Sequence, residues 1–493
     1  MHSTHLAIDL GAGSGRVMAG HFDGKTLRLE EVHRFANEGI RLPSGWHWKV
    51  SQLFADIKRG LAEAQRRHGA TLASLAVDTW GVDYALFDRH GRMLGLPWMY
   101  RDGRTDGMME LAAEILPRRE IYQRTGIQFM FFNTLFQLLA ETRKNPEAVA
   151  AADHLLFMPD LITYWLSGQR VVERTIASTA QLLKAGTAAW DLELAEKMGI
   201  PARLFLPTTE PCRVIGALLP EVMEETGCGR LQVATCGSHD TASAVAGVPA
   251  GTSQPLFLSS GTWSLIGREL QSPVVTDESY RVGFSNEQGL NGTTRFLKNV
   301  AGMWLLQECK RNWDAQGRSC DYASLVQSAR EARATLLLDP DAAEFAKPCD
   351  MPRAIRDYAV KTGQTAPESP GEFTRAILES LALRYRGLVA QLRSWMPDLP
   401  DTLHIVGGGS QNALLNQMTA DATGLRVVAG PVEATALGNV LAQLMAAGEI
   451  SSLEQGREIV RASYEPQVFE PRDSGIWDEK AARFEALPRG AES

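Results

Sequence analysis

"LAIDLGAGSGRVMAGHF", Leu6–Phe22, decides how the rest of the chain is read. An apolar strand ends in Asp9 and runs into glycines at 11, 13 and 15. Two phosphate-binding devices start this way. A dinucleotide fold sets G-x-G-x-x-G between a strand and a helix, with the pyrophosphate on the helix N-terminus. A glycine hairpin between two strands cradles phosphate oxygens with backbone N–H groups. Counted from Gly11, the last glycine position is Arg16, and the text that follows is strand-like. The dinucleotide fingerprint therefore fails and a hairpin is predicted. A plain turn needs fewer glycines. Ala12, Gly13, Ser14, Gly15 and Arg16 are candidate phosphate ligands. Asp9 at the strand end is either a turn-capping aspartate or a carboxylate beside phosphates, where a cation must offset it. Mg²⁺ binds through few carboxylates and keeps its waters, so Asp9 is expected to hold it through water.

Working outward, the sequence predicts strands over 6–10, 16–22 and 27–35, then a helix over 51–67 with Ser51 as N-cap and Leu53, Phe54, Ile57 and Leu61 on one face. "LASLAVDTWG" returns to a buried strand, and "DYALFD" gives another. This β-β-β-α-β order is not the β-α-β-α of a doubly wound nucleotide fold. The stretch from about Thr105 to Pro207 is helix-rich, and within it "ERTIASTAQLLK" suggests an ordered interior loop and strand. From Gln254 the opening pattern recurs: "PLFLSSGTWSLIGREL" is strand, Ser-Ser-Gly-Thr turn, strand. Two halves with the same beginning imply two lobes of an α/β fold, 1–245 and 246–493, divided at a stretch of Gly, Pro and small residues. Two such hairpins facing one another would hold a polyphosphate from both sides, which adds Thr262 to the candidates.

Other motifs are less specific on their own. "SHDT", Ser238–Thr241, closes a strand and enters an alanine-rich helix. Asp240 or Thr241 could cap that helix. Alternatively, the Asp240 carboxylate could accept the proton of a substrate hydroxyl in phosphoryl transfer. In "VDTWGVD", Val77–Asp83, Trp80 is either plain core or an apolar wall for a sugar face, with Asp78, Asp83 and the Gly81 backbone near hydroxyls. Asn299 and Gln307 fall in "LKNVAGMWLLQECK". Placed on one helix they would sit roughly 80° apart and line a site. The triple glycine of "VGGGSQN", Val406–Asn412, lets a flat ring approach the backbone closely, making Gly408 a candidate adenosine contact.

Bulk properties narrow the class. The 493 residues are 44% hydrophobic and 22% charged, with net charge −8. That excess is acidic, which argues against nucleic acid or an anionic membrane surface as partner. No apolar run approaches the roughly 18 residues needed to span a bilayer. "MHSTHLAIDLG" enters a strand directly, with no leader pattern. A cytoplasmic protein is expected, a monomer rather than an obligate assembly. The cysteines at 212, 228, 236, 309, 320 and 349 have no C-x-x-C spacing and are expected to be reduced thiols.

Eight stretches together resemble one family: "DLGAGSGRVM", "DTWGVDYALFD", "PWMYRDGRT", "YQRTGIQF", "SHDTASAV", "LSSGTWSLIG", "LKNVAGMWLLQ" and "LHIVGGGSQNALLNQ". In order and spacing they are similar to the FGGY carbohydrate kinases, and within them to the members that act on L-rhamnulose. The resemblance runs from about Leu6 to Glu449. It implies two ribonuclease-H-like lobes of the actin-like ATPase superfold with a central cleft. It also implies transfer of the γ-phosphoryl of MgATP to the 1-hydroxyl of L-rhamnulose. By motif position, 12–16, Thr262, Gln307 and Gly408 would contact ATP. Gly81, His239, Asp240, Thr241 and Asn299 would hold the sugar, with Trp80 as a further candidate, and Asp240 would be the general base. A lysine- and tryptophan-containing signature that many members carry near 132–139 is absent here, as in the rhamnulose-directed members. Cysteines that some relatives carry near Thr419 and Thr423 are absent too. Fuculose- or xylulose-directed kinases of the same family are the nearest alternatives. A non-catalytic sugar sensor on the ATPase fold is another, and the pairing of Asp9 with Asp240 argues against it.

Overall fold

β1 (Ser3–Leu10) is almost wholly buried, as its run of apolar residues demands. It turns through Gly11–Gly13 into the antiparallel β2 (Ser14–Phe22), which pairs in turn with β3 (Leu27–Ala36). The computed structural model describes residues 3–318, 320–333, 336–346, 350–472 and 475–488. A short hairpin, Gly39–Leu42 with Gly45–Trp48, follows β3 and was not predicted. α1 (Val50–His68) comes next, burying Val50, Leu53, Ile57, Leu61 and Ala64. It begins earlier than expected: Lys49 is the N-cap and no side chain caps the helix, so Ser51 sits inside the first turn. Arg66, Arg67 and His68 close its last turn, where cations suit the helix dipole. Arg66 and Arg67 bond Glu63.

The strand Leu72–Thr79 returns parallel to β1. Six strands form the first sheet, in the order Val214–Ala217, Gln232–Ala234, Leu72–Thr79, β1, β2, β3. One face packs on α1. The other receives the helices Asp240–Ala246 and Ala434–Ala446. Ala7, Met18 and Phe22 meet Leu437, Val440 and Leu441 there.

The chain divides into two compact units. The first comprises Met1–Gln254, Glu269–Leu297 and Ala434–Tyr464; the second comprises Pro255–Arg268, Lys298–Glu433 and Glu465–Ser493. In the second unit five strands lie in the order Trp263–Leu270, Leu256–Ser260, Thr402–Val406, Arg426–Ala429, Gln467–Phe469. An antiparallel pair again flanks parallel neighbours. Among the described residues no helix is long and apolar enough to cross a membrane. Cys212, Cys228, Cys236, Cys309 and Cys320 are free thiols, and Cys349 lies outside the described residues.

Small residues let the two helices on the first sheet approach closely. A Cβ at Gly438 would overlap the Ser243 carbonyl oxygen, which is backbone and cannot yield. Gly438→Ala is expected to destabilise the protein by about 1–3 kcal/mol. Chemical denaturation would measure this, with Gly387→Ala, a helical position in Pro370–Trp395 whose Cβ would meet nothing, setting the baseline for adding a methyl without a collision.

Candidate active site

The site in the first unit is built where strands of its sheet end. β1 and Leu72–Thr79 are paired in register, so Asp9 lies beside Asp78 with both side chains on one face of the sheet. Thr79 N bonds Ser238 O at 2.9 Å, and Trp80 N bonds Leu10 O at 3.3 Å. These contacts bring together the glycine hairpin, the Trp80–Gly81 loop and the Ser238–Thr241 segment. A Cβ at Gly81 would lie 3.4 Å from His239 Nε2, so a larger residue would crowd the histidine.

The hairpin turn is a three-residue connection closed by Gly11 N to Ser14 O at 2.9 Å. Asn37, which the sequence reading missed, braces it from β3: its side chain donates to Gly11 O at 2.8 Å, and its own N–H meets Gly13 O at 3.2 Å. Gly13 is exposed, and a Cβ there would meet nothing. A Cβ at Gly15 would collide with Phe35 and Leu10. Arg16 reaches back along the hairpin to pair with Asp9.

Three carboxylates share this region. Asp78 is fully buried; burial and the Asp9 charge push it well up, against a hydrogen bond from Asn439 Nδ2 at 2.6 Å. Gln443 orients that amide by donating to Asn439 Oδ1 at 2.7 Å. Asp78 Oδ1 is buried with no hydrogen-bond partner among the described residues. Asp240 opens the helix Asp240–Ala246, and its side chain is 33% exposed. Burial raises it, His239 pulls it down and the Asp9 charge raises it again, for a net rise. Neither Asp240 nor Thr241 caps that helix, contrary to the capping expectation: His239 occupies the N-cap, without a side-chain cap, and Asp240 is already in the first turn. Thr241 instead donates to Asp240 Oδ1 at 3.1 Å.

His239 is fixed from behind. Its Nε2 lies 3.4 Å from Asp240 Oδ1. Its Nδ1 lies 3.2 Å from Arg295 Nη2 and 3.1 Å from Glu287 Oε2. Nδ1 thus lies between a guanidinium donor and a carboxylate acceptor, and Nε2 is left to face Asp240. Burial works against the Glu287 charge, but Arg295 and His239 outweigh it and hold Glu287 below its usual range.

Trp80 is 6% exposed, packs at a tilt against Trp48 with ring centroids 4.2 Å apart and donates its indole N–H to Asp83 Oδ2 at 2.9 Å. Asp83 does not face a ligand, contrary to expectation. It is buried, and it accepts from Trp48 Nε1, Trp80 Nε1, Tyr100 N and Gln137 Nε2. Burial against these four donors leaves its carboxyl at about 6. Val82, between Gly81 and Asp83, holds φ 69, a left-handed conformation unusual for a β-branched residue.

In the second unit, Gly261 N to Trp263 O at 2.8 Å closes the other hairpin turn, with Thr262 at its tip. Asn299 and Gln307 do not share a helix, which corrects the sequence reading. Asn299 lies in the strand Thr294–Ala301 and Gln307 in the helix Trp304–Ala315, because Gly302 breaks the chain between them. A Cβ at Gly302 would collide with Ser264 and Trp263. Gly407 has φ +84, and Gly408 is exposed with open space above it. The Ser260 hydroxyl fills the place a Gly409 Cβ would take, and that hydroxyl is buried without a partner among the described residues.

Residues 4–247 match the N-terminal domain model of the FGGY family of carbohydrate kinases, and residues 256–447 match its C-terminal domain model. The chain belongs to the FGGY family of carbohydrate kinases. It is 44% identical over 490 residues to a protein of Bacteroides thetaiotaomicron named rhamnulokinase, covering 99% of this chain and 100% of that one. A rhamnulokinase of Pectobacterium atrosepticum is 41% identical over 485 residues, covering 98% and 96%. The structure is also similar to a xylulose kinase from Lactobacillus acidophilus, with TM-score 0.79 and 15% identity over 98% of this chain and 97% of that one. A glycerol kinase of Plasmodium falciparum solved with ADP gives TM-score 0.74 at 17% identity, covering 98% and 97%. The expected actin-like ATPase fold is thereby borne out. This FGGY chain is an α/β carbohydrate kinase, as its motifs implied.

The wall around Asp83 has a measurable weight. Asp83→Ala strands the indole N–H groups of Trp48 and Trp80, and each buried unpaired donor costs about 1–3 kcal/mol. Urea unfolding should register at least one such loss, with Asp83→Asn, which keeps an acceptor, recovering part of it.

Proposed function

We propose that this chain transfers the γ-phosphoryl group of ATP to the 1-hydroxyl of L-rhamnulose, with Asp240 as general base. The carrying observation is the placement of Asp240 in the first unit, next to His239, whose Nε2 would lie 3.4 Å from a Gly81 Cβ, at a segment that Ser238 O ties to Thr79 on the strand carrying Asp78 beside Asp9. The relatives named rhamnulokinase over nearly the whole length support the substrate.

Each residue set has a task. The 12–16 hairpin offers backbone N–H groups and the Arg16 guanidinium to phosphate oxygens. Thr262, Gln307 and Gly408 of the second unit serve the nucleotide, with open space above Gly408 for a flat ring. Gly81, His239, Thr241 and Asn299 hold the sugar, and Trp80 backs it. The sugar candidates then fall in the first unit apart from Asn299, and the nucleotide candidates beyond the 12–16 hairpin in the second, in a cytoplasmic enzyme; the expected division at 245/246 gives way to a first unit that also takes in Glu269–Leu297 and Ala434–Tyr464.

The residues present also fit Mg²⁺. Asp9 and Asp78 are neighbouring carboxylates, and the buried Asp78 Oδ1 has no partner among the described residues. When bound, the ion supplies charge neutralisation at the phosphates, and Asp9 is the residue that would hold it through water.

The substrate hydroxyl gives its proton to the Asp240 carboxylate as its oxygen bonds to phosphorus, and ADP leaves with the former bridging oxygen. The net rise of Asp240 brings it nearer the working pH, which suits a base. His239, with Nε2 3.4 Å from Asp240 Oδ1, steadies the carboxylate on its other side.

Two measurements test this. An ADP-release assay over a panel of ketoses should show strong preference for L-rhamnulose over L-fuculose and D-xylulose. Preference for another ketose would overturn the substrate, and turnover without sugar would favour the sensor reading. Asp240→Asn should lower kcat about 10²–10⁴-fold, the range of general-base catalysis, while calorimetry still detects sugar binding. Near-normal kcat would remove Asp240 as base.

A further inference from the structure

Glu173 lies in the "ERTIAST" segment that the sequence marked only as an interior loop and strand. It ends the short strand Val172–Glu173 and is fully buried. Its carboxylate accepts from Thr175 N at 2.8 Å, Thr175 Oγ1 at 2.5 Å, Ile176 N at 3.2 Å and Ser238 N at 3.2 Å.

The hydroxyls that follow share one arrangement. Thr175 gives its proton to Glu173 and accepts from His239 N at 3.2 Å. Ser178 gives its proton to Thr175 O and accepts from Gln288 N at 2.9 Å. Thr179 gives its proton to Ile176 O and accepts from Val82 N at 3.1 Å. A hydroxyl has one proton to give, so each spends it inside the segment and offers a lone pair outward. Those lone pairs hold three separate stretches: His239 before Asp240, Gln288 beside Glu287, and the left-handed Val82 after Gly81.

We propose that Glu173 is a positioning residue for phosphoryl transfer: with the Thr175 hydroxyl it fixes the backbone of Ser238 and His239 and so aims Asp240 at the substrate hydroxyl. The proposal rests on Asp240 being the base, as argued above. A carboxylate is the group this place needs, because four donors converge on it and it has only acceptors to give. Protonation would put an O–H where donors already point. The titratable and charged groups facing Glu173 are Asp160, which accepts from Glu173 N at 3.0 Å, and Cys212, Cys236 and Arg295. Burial pushes the Glu173 carboxyl up to about 7 against its four hydrogen bonds. The ionised form is the ordered one, so kcat should fall as pH falls through about 7.

The test uses the full chain with ATP and L-rhamnulose, after the wild type has shown sugar-dependent ADP release and Asp240→Asn has lost it. Failure of either control defeats the functional reading itself. Given both, Glu173→Gln at pH 8 should lose about 10–100-fold in kcat, the scale of a displaced catalytic group, with the KM for ATP unchanged. The decline near pH 7 should flatten in that variant. Thr175→Val, which keeps shape and loses the hydroxyl, should lose kcat in the same way. Thr175→Ser should restore it, and this pair carries the test if Glu173→Gln does not fold. Wild-type kcat in Thr175→Val, or wild-type kcat at pH 8 in folded Glu173→Gln, would overturn the proposal.

Discussion

The constraint on which this structure depends is the repulsion among three carboxylates gathered on one side of a sheet. Asp9 and Asp78 are register partners, and the Asp9 charge weighs on both Asp78 and Asp240. Burial makes such a cluster costly unless each member is compensated. The fold answers each one differently. Asp9 has the Arg16 guanidinium, Asp78 has the neutral Asn439 amide, and Asp240 has His239. Only one of the three partners is a permanent cation. The cluster therefore stays short of positive charge, which is the electrostatic setting in which a divalent cation is held.

That arrangement dictates much of the surrounding interior. Asn439 can face Asp78 only because Ala434–Ala446 lies flat on the sheet, and it lies flat because Gly438 and its alanines admit the helix Asp240–Ala246. The same packing places Asp240 at the start of that helix. On the other side of the loop, hydroxyls from one short segment secure backbone N–H groups at 82, 239 and 288. Val82 keeps its left-handed φ because Thr179 holds its N–H while Thr134 donates to its carbonyl at 2.7 Å. A strained loop residue pinned at both ends is a feature of sites that must not relax.

The sequence carried the local part of this well. Glycines at 11, 13 and 15 between two strand-like runs can be little but a hairpin, and Arg16 in the last fingerprint position excluded the dinucleotide fold. It failed where long-range partners decide. Asn439 is 361 positions from Asp78, and no periodicity links them. Asn299 and Gln307 looked like one helix because the apolar residues between them fit that spacing, yet Gly302 is required where the chain meets Ser264. Asp83 resembled a hydroxyl ligand, but tryptophans and an amide claim its oxygens. Glu173 left one trace, an acidic residue in an apolar stretch followed by Thr, Ser and Thr. A buried charge with hydroxyls close behind it is a sign that those hydroxyls have work in the interior.

The two glycine turns share a topology and differ in chemistry. Each joins an antiparallel pair whose first strand has a parallel neighbour. In the first unit the residues around the turn are charged: Asp9 before it, Arg16 after it, Asp78 on the next strand. In the second unit they are Ser260, Thr262, Ser264 and the glycines at 407–409, all neutral. A neutral turn can offer N–H groups and hydroxyls to phosphate oxygens, but it has no carboxylate for a cation and no base for a proton. The same backbone device thus supports recognition alone in one unit. In the other it also carries the charged groups that proton transfer requires. Asymmetry of charge on a repeated topology explains why the catalytic candidates all fall within the first unit, although both units present a turn fit for phosphate.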